Sequence, residues 1–296
     1  MAPSTDTTYG ELRTSIQHEK ERRIREYRAN AAKTQSMREK GIFAEAPEPL
    51  QLIAQGDSWF DYPLPFPFHT DVIAHLQNLP SMSPHVLDLA VLGEAAEDLL
   101  GVAKLHELID NLVDPANGGF DAILFSAGGN DLAGNQFRLW LQDATGGGTN
   151  PANGLNQERV DDVLGIVQAA YADLFIARDR AAPGVPIFGH SYDFAIPSGV
   201  GVCGVGPWLK PGLDDRGWTD PSVGRQIVKL LLEQFANMLD GFEADSNKHF
   251  VHVRTQGTLS DQQWANELHP TPEGFAAIAA KFVTALRASN LFPGRI

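Results

Sequence analysis

The chain has 296 residues, is 43% hydrophobic and 20% charged, and carries a formal net charge of −14, so it is globular and long enough to bury a sizeable core. The acidic balance excludes a general nucleic-acid or anionic-membrane surface, because such partners require clustered Lys and Arg to release counterions. A single cysteine, Cys203, excludes an internal disulfide. There is no apolar window of bilayer-spanning length and no secretory leader over Met1–Thr8, so the expectation is a soluble, cytoplasmic protein without integral membrane contact.

Residues 9 to about 40 predict a polar helix with a thin apolar seam at Leu12, Ile16, Ile24, Tyr27 and Ala31. Pro47 and Pro49 end it. The expected organisation is an N-terminal helical arm over residues 1–47, docked on the body or serving as a homodimer contact, followed by one domain over residues 48–296. From there short apolar runs alternate with helical periods. The runs are Leu50–Gln55, His85–Val91, Ala122–Ser126, Val185–Gly189 and Phe250–Arg254, each short enough to be a strand buried on both faces. Helices are predicted over Glu158–Arg178, about Ser222–Leu239, and from the Thr271-Pro272-Glu273 cap onward, with Phe275, Ile278, Phe282, Val283 and Leu286 on the buried face. This alternation predicts a parallel five-stranded sheet between two helical layers, a three-layer α/β/α sandwich.

In such sheets ligands gather beyond the carboxyl ends of the strands. Three motifs fall there. Gly56-Asp57-Ser58-Trp59 follows the first run, Gly128-Gly129-Asn130-Asp131 follows the third, and His269-Pro270 lies between the fifth run and the final helix. Together they supply a nucleophile, an oxyanion donor and a base, which is what acyl transfer needs.

In these blocks the chain resembles the SGNH or GDSL hydrolases, serine esterases and lipases with a flavodoxin-like α/β/α fold, over residues 50 to 288. The resemblance implies Ser58 as nucleophile, with its own amide, the Gly93 amide and the Asn130 side chain as the oxyanion hole, and His269 as base. Trp59 stands where leucine is usual. The family's Asp-x-x-His-Pro block reads Asn266-Glu267-Leu268-His269-Pro270 here, so an asparagine replaces the aspartate that orients the histidine. An amide oxygen holds the useful tautomer without adding negative charge. The sequence leaves Asn266, Glu267, Asp261, Asp193 and a backbone carbonyl open as the orienting group.

Asp57 and Asp131 read as structural, accepting backbone amides in turns. The glycine-rich stretch Gly199–Gly204 opens no helix and is not a dinucleotide site, and His249-x-x-His252 on a strand points to opposite faces, so neither a cofactor nor a metal is expected. Phe194–Pro221 reads as an apolar lid or pocket wall carrying Trp208. The aromatic, proline-rich stretch Trp59–Phe68 reads as a second wall, with Trp59, Phe60 and Tyr62 facing substrate, and Thr145–Asn153 as a flexible surface insertion. The expected activity is hydrolysis of a small ester with an apolar part. A carbohydrate deacetylase and a binding protein with weakened catalysis stand as alternatives.

Overall fold

A computed structural model describes residues 5–42, 47–62, 70–79, 83–144, 148–202 and 205–295. The arm is one long helix, α1 (Thr5–Glu39). The body then runs β1 (Gln51–Gly56), α2 (Val72–Gln77), β2 (His85–Asp88), α3 (Ala96–Leu99), α4 (Val102–Val113), β3 (Ala122–Ser126), α5 (Gly129–Leu132) and α6 (Gln157–Ala181). It continues through β4 (Ile187–His190), α7 (Lys210–Asp215), α8 (Pro221–Glu243), β5 (Phe250–Val253) and α9 (Pro272–Ala288). All five apolar runs contain strands; β3 matches its sequence-based bounds, β2 ends three residues before Val91, and the other three are displaced by a residue or two. Thr271 caps α9 by accepting the Gly274 amide, so the cap read from sequence is present.

The sheet is wholly parallel in the order β2-β1-β3-β4-β5. β3 and β4 are buried along their whole length, as expected where both faces are covered. Right-handed crossovers place the helix between β1 and β2 on the face opposite those that link β2 to β3, β3 to β4 and β4 to β5, because the strand order reverses at β1. Accordingly α2 packs with α9 on one side, while α4, α6 and α8 pack together on the other. The reversal leaves a crevice between the carboxyl ends of β1 and β3. Both the Ser58 turn and the Asn130 turn open from it.

The arm lies along the outer edge of the sheet, against β2. Tyr27 on its seam is buried, stacks on Phe120 at 5.7 Å and donates its hydroxyl to Gln51 and to the Asn117 carbonyl. A polar tether lies beside it. Arg23 reaches Asp61 at 2.6 Å, Asp88 at 3.0 Å and the Ala90 carbonyl at 3.1 Å, with only 16% of its side chain exposed. Asp61 in turn accepts the Leu92 amide, so one arginine joins the arm, the stretch after Ser58 and the loop after β2. Among the described residues no helix is long and apolar enough to cross a membrane.

Thr145–Asn153 is less loose than its composition suggests. Residues 145–147 lie outside the described part, but Pro151–Asn153 form a turn capped by the Asn150 side chain. A Cβ on Gly154 would sit 2.4 Å from Ile227 of α8, so the segment packs closely there.

Burial pushes the Asp88 carboxyl up to about 7 and Arg23 pulls it back. Removing one partner of such a pair strands the other, at a cost of about 3 kcal/mol. Arg23→Ala should therefore lower the urea-unfolding free energy by about that much near pH 8. The deficit should shrink towards about pH 6, because a folded-state Asp88 with a raised pKa can take up a proton that the unfolded chain does not.

Candidate active site

The turn that carries Ser58 is set by close packing. β1 ends at Gly56, where a Cβ would lie 2.7 Å from Ser126 Cβ and 2.9 Å from the Phe60 ring, so only glycine lets the chain pass the end of β3. Asp57 follows and is buried. Its Oδ1 accepts the Trp59 amide at 3.0 Å and the Ser126 hydroxyl at 2.9 Å, and its Oδ2 accepts the Tyr192 hydroxyl. This fixes the turn that presents Ser58.

Across the crevice, Ser58 Oγ lies 2.7 Å from His269 Nε2, although 211 positions separate them in sequence. His269 Nδ1 is 2.9 Å from Asn266 Oδ1, which also accepts the backbone amides of Leu268 and His269, each at 3.0 Å. An atom that accepts two backbone N–H groups must be the oxygen of the side-chain amide, and Asn266 Nδ2 donates instead to the Tyr62 hydroxyl at 3.2 Å. The proton of the neutral ring therefore sits on Nδ1. Nε2 presents its lone pair to Ser58, the arrangement that a general base requires. Burial lowers the His269 pKa to about 4.

The other orienting candidates are engaged elsewhere. Glu267 is fully buried and bonded to backbone amides of the 199–210 segment. Asp193 accepts the amides of Phe194, Gly257, Thr258 and Leu259. Asp261 is exposed and paired with Arg225. Among the described residues no carboxylate hydrogen-bonds the imidazole; of the groups the sequence left open, Asn266 is the one that faces it.

Beyond β3, Gly128 adopts φ +109°, and a Cβ there would strike the Phe235 ring at 2.6 Å. It turns the chain into α5 and brings Asn130 to the pocket. Asn130 Nδ2 donates to the Glu94 carbonyl at 2.9 Å, which ties it to the loop that carries Gly93. Asp131 accepts the Ala96 amide at 2.8 Å, the structural role read from sequence. Gly93 itself is exposed and outside the pocket lining.

The pocket has a volume of about 50 Å³ and an apolar wall from Leu132, Phe137, Leu209, Val228, Leu231 and Leu232, with Ser58, Asn130 and His269 at its polar end. Trp59 lines it and donates its indole N–H to the Leu268 carbonyl at 3.0 Å. Phe60 does not. It is fully buried between His190 and Phe282, because the stiff turn after Gly56 points it into the core rather than the cleft. Tyr62 also lies outside the lining: it packs on the His269 ring at 4.7 Å and on Phe275 at 5.4 Å, and so backs the imidazole instead of facing substrate. Trp208 meets the same ring edge-on at 5.7 Å. The remainder of the proline-rich wall, residues 63–68, and Cys203 lie outside the described residues.

Sequence reasoning missed the polar string at the end of β4. His190 Nδ1 accepts the Tyr192 amide, so its Nε2–H donates to Ser126 Oγ at 2.7 Å, and the Ser126 hydroxyl donates in turn to Asp57. Burial holds His190 neutral, with a pKa of about 3, and pushes Asp57 up to about 6. Tyr192 adopts φ +55°, an uncommon conformation for a non-glycine residue, and its ring packs under Gly129. The consecutive polar side chains His190 to Asp193 at a strand's carboxyl end were the available signal.

No protein-family model and no curated protein sequence matches this chain. Solved structures do. A lipase, Lip_vut3, from a goat rumen metagenome superposes with a TM-score of 0.50 at 14% identity, covering 83% of this chain and 99% of its own. A member of the lipolytic G-D-S-L family from Veillonella parvula matches at 15% identity and TM-score 0.41 over 80% and 98% of the two chains. A carbohydrate esterase family 3 protein from Talaromyces cellulolyticus matches at 12% and 0.43 over 81% and 97%. The chain thus shares the α/β/α fold of the Lip_vut3 lipase.

With no charge beside it, the His269 ring should stay neutral to about pH 4. Replacing the amide by a carboxylate, Asn266→Asp, should raise that midpoint by about one unit or more, since an adjacent opposite charge favours imidazolium. NMR titration of the ring measures both.

Proposed function

We propose that the protein is a serine hydrolase of carboxylic esters, with Ser58 as nucleophile and His269 as base. The observation that carries this reading is the 2.7 Å contact between Ser58 Oγ and the unprotonated Nε2 of His269 at the mouth of an apolar pocket. His269 takes the hydroxyl proton as Oγ bonds to the ester carbonyl carbon. The resulting oxyanion is received by the Ser58 amide and by Asn130. A side-chain amide has two N–H donors, so Asn130 can serve the oxyanion while remaining bonded to Glu94. Collapse of the tetrahedral adduct breaks the bond to the alcohol oxygen, which leaves with the proton from His269. Water, deprotonated by the same nitrogen, then attacks the acyl-enzyme and frees the acid and Ser58.

A neutral orienting group changes the energetics. It fixes the tautomer but adds no attraction to the imidazolium that forms in each transition state, which a buried carboxylate would supply. The compensation is access to low pH, because the base remains unprotonated well into the acid range.

Hydrolysis of p-nitrophenyl acetate tests the reading. Ser58→Ala should abolish turnover, and Asn130→Ala, still folded, should lower kcat by about a hundredfold to a thousandfold. In the parent protein kcat/KM should fall only below about pH 5, near the His269 midpoint, rather than near the usual histidine value of about 6.5. Turnover that survives Ser58→Ala would overturn the assignment.

A further inference from the structure

Glu267 stands two residues before the base and makes an unusual set of bonds. Its Oε1 accepts the amides of Gly199 at 2.9 Å and Lys210 at 3.0 Å, and its Oε2 accepts those of Trp208 at 2.5 Å and Leu209 at 2.7 Å. Its own amide donates to the Val200 carbonyl at 3.1 Å. The carboxylate is fully buried, and among the described residues it forms no ion pair. One side chain therefore stitches Gly199 and the 208–210 strap to the loop that carries His269. That strap places Trp208 against the imidazole and Leu209 in the pocket wall.

The space this wall encloses is small. A cavity of about 50 Å³ compares with about 10–15 Å³ for one water-sized centre, so a handful of heavy atoms fill it. We propose that Glu267 is a positioning residue that holds the strap closed over the pocket and thereby restricts the enzyme to short acyl groups, of about two to five carbons. The proposal rests on the ester-hydrolase reading above. A glutamine at this position has one acceptor oxygen and one NH2 group, so of the four inward-facing amides it can satisfy only the pair on its oxygen. The NH2 group would repel the other pair and release part of the strap.

The test is kcat/KM for p-nitrophenyl esters from acetate to decanoate, measured on the parent protein, Glu267→Gln and Leu209→Ala, with folding followed by circular dichroism. The parent should prefer acetate or butyrate. Each variant should reduce the ratio of short-chain to long-chain kcat/KM by about tenfold or more, the scale on which an apolar pocket discriminates a methylene. Glu267→Gln acts by loosening the strap, Leu209→Ala by shortening the wall itself. Should Glu267→Gln fail to fold, Glu267→Asp, whose shorter side chain keeps the charge but cannot reach all four amides, takes its place and should shift the ratio in the same direction. A parent that prefers decanoate, or folded variants that lose activity equally on every chain length, would overturn the proposal and leave the hydrolase reading intact. A folded parent that hydrolyses none of the esters would overturn both.

Discussion

A single amide oxygen, Asn266 Oδ1, accepts three N–H groups: two from the backbone of its own turn and one from the imidazole of His269. The backbone bonds fix which end of the amide faces the ring. The ring bond fixes which nitrogen keeps the proton, and through it whether Ser58 meets a base or a competing donor. If that oxygen were turned away, the same residues would stand at the same distances without useful chemistry. A carboxylate would accept the same bonds and also stabilise imidazolium. The amide does only the first, and burial accordingly leaves the histidine far below its ordinary pKa.

The remaining polar groups around the site follow one physical scheme. Asp57, Asp193 and Glu267 are buried carboxylates held by N–H and O–H donors rather than by cations. Bonds to a charged acceptor are stronger than neutral ones, and a buried carboxylate left without them would be costly, so each acts as a local fastener. Asp57 joins the ends of β1, β3 and β4. Asp193 joins the end of β4 to the segment after β5, and Glu267 joins the insertion to the histidine loop. Where cations do take part, through Arg23, they bind the N-terminal helix to the stretch after Ser58 and to the loop after β2.

The parallel sheet and the three motifs were legible in the sequence because both depend on local signals. Doubly buried strands read as short apolar runs, and Gly-Asp-Ser, Gly-Gly-Asn-Asp and His-Pro each follow a run or precede a capped helix. What lay hidden depends on partners that are distant in sequence. Trp59 and Phe60 are adjacent aromatics, and nothing local says that one borders the cleft while the other fills the core; that is decided by how tightly Gly56 passes Ser126. Glu267 reads as a spare carboxylate beside the base, yet its four donors come from positions 57 to 68 residues away. Arg23 lies on the seam face, four residues before Tyr27, but its acceptors come from two separate stretches of the body that periodicity does not reveal. Tyr192 carries no marker of its positive φ, since its conformation is imposed by the network it joins.

The measurement that bears most directly on the central claim is peptide mass spectrometry of the folded protein after treatment with a fluorophosphonate, which couples only to a hydroxyl whose proton is being withdrawn. One phosphonyl adduct on Ser58, absent from folded His269→Ala protein, is the predicted result. No adduct on folded parent protein, or an adduct on another residue, would contradict the account.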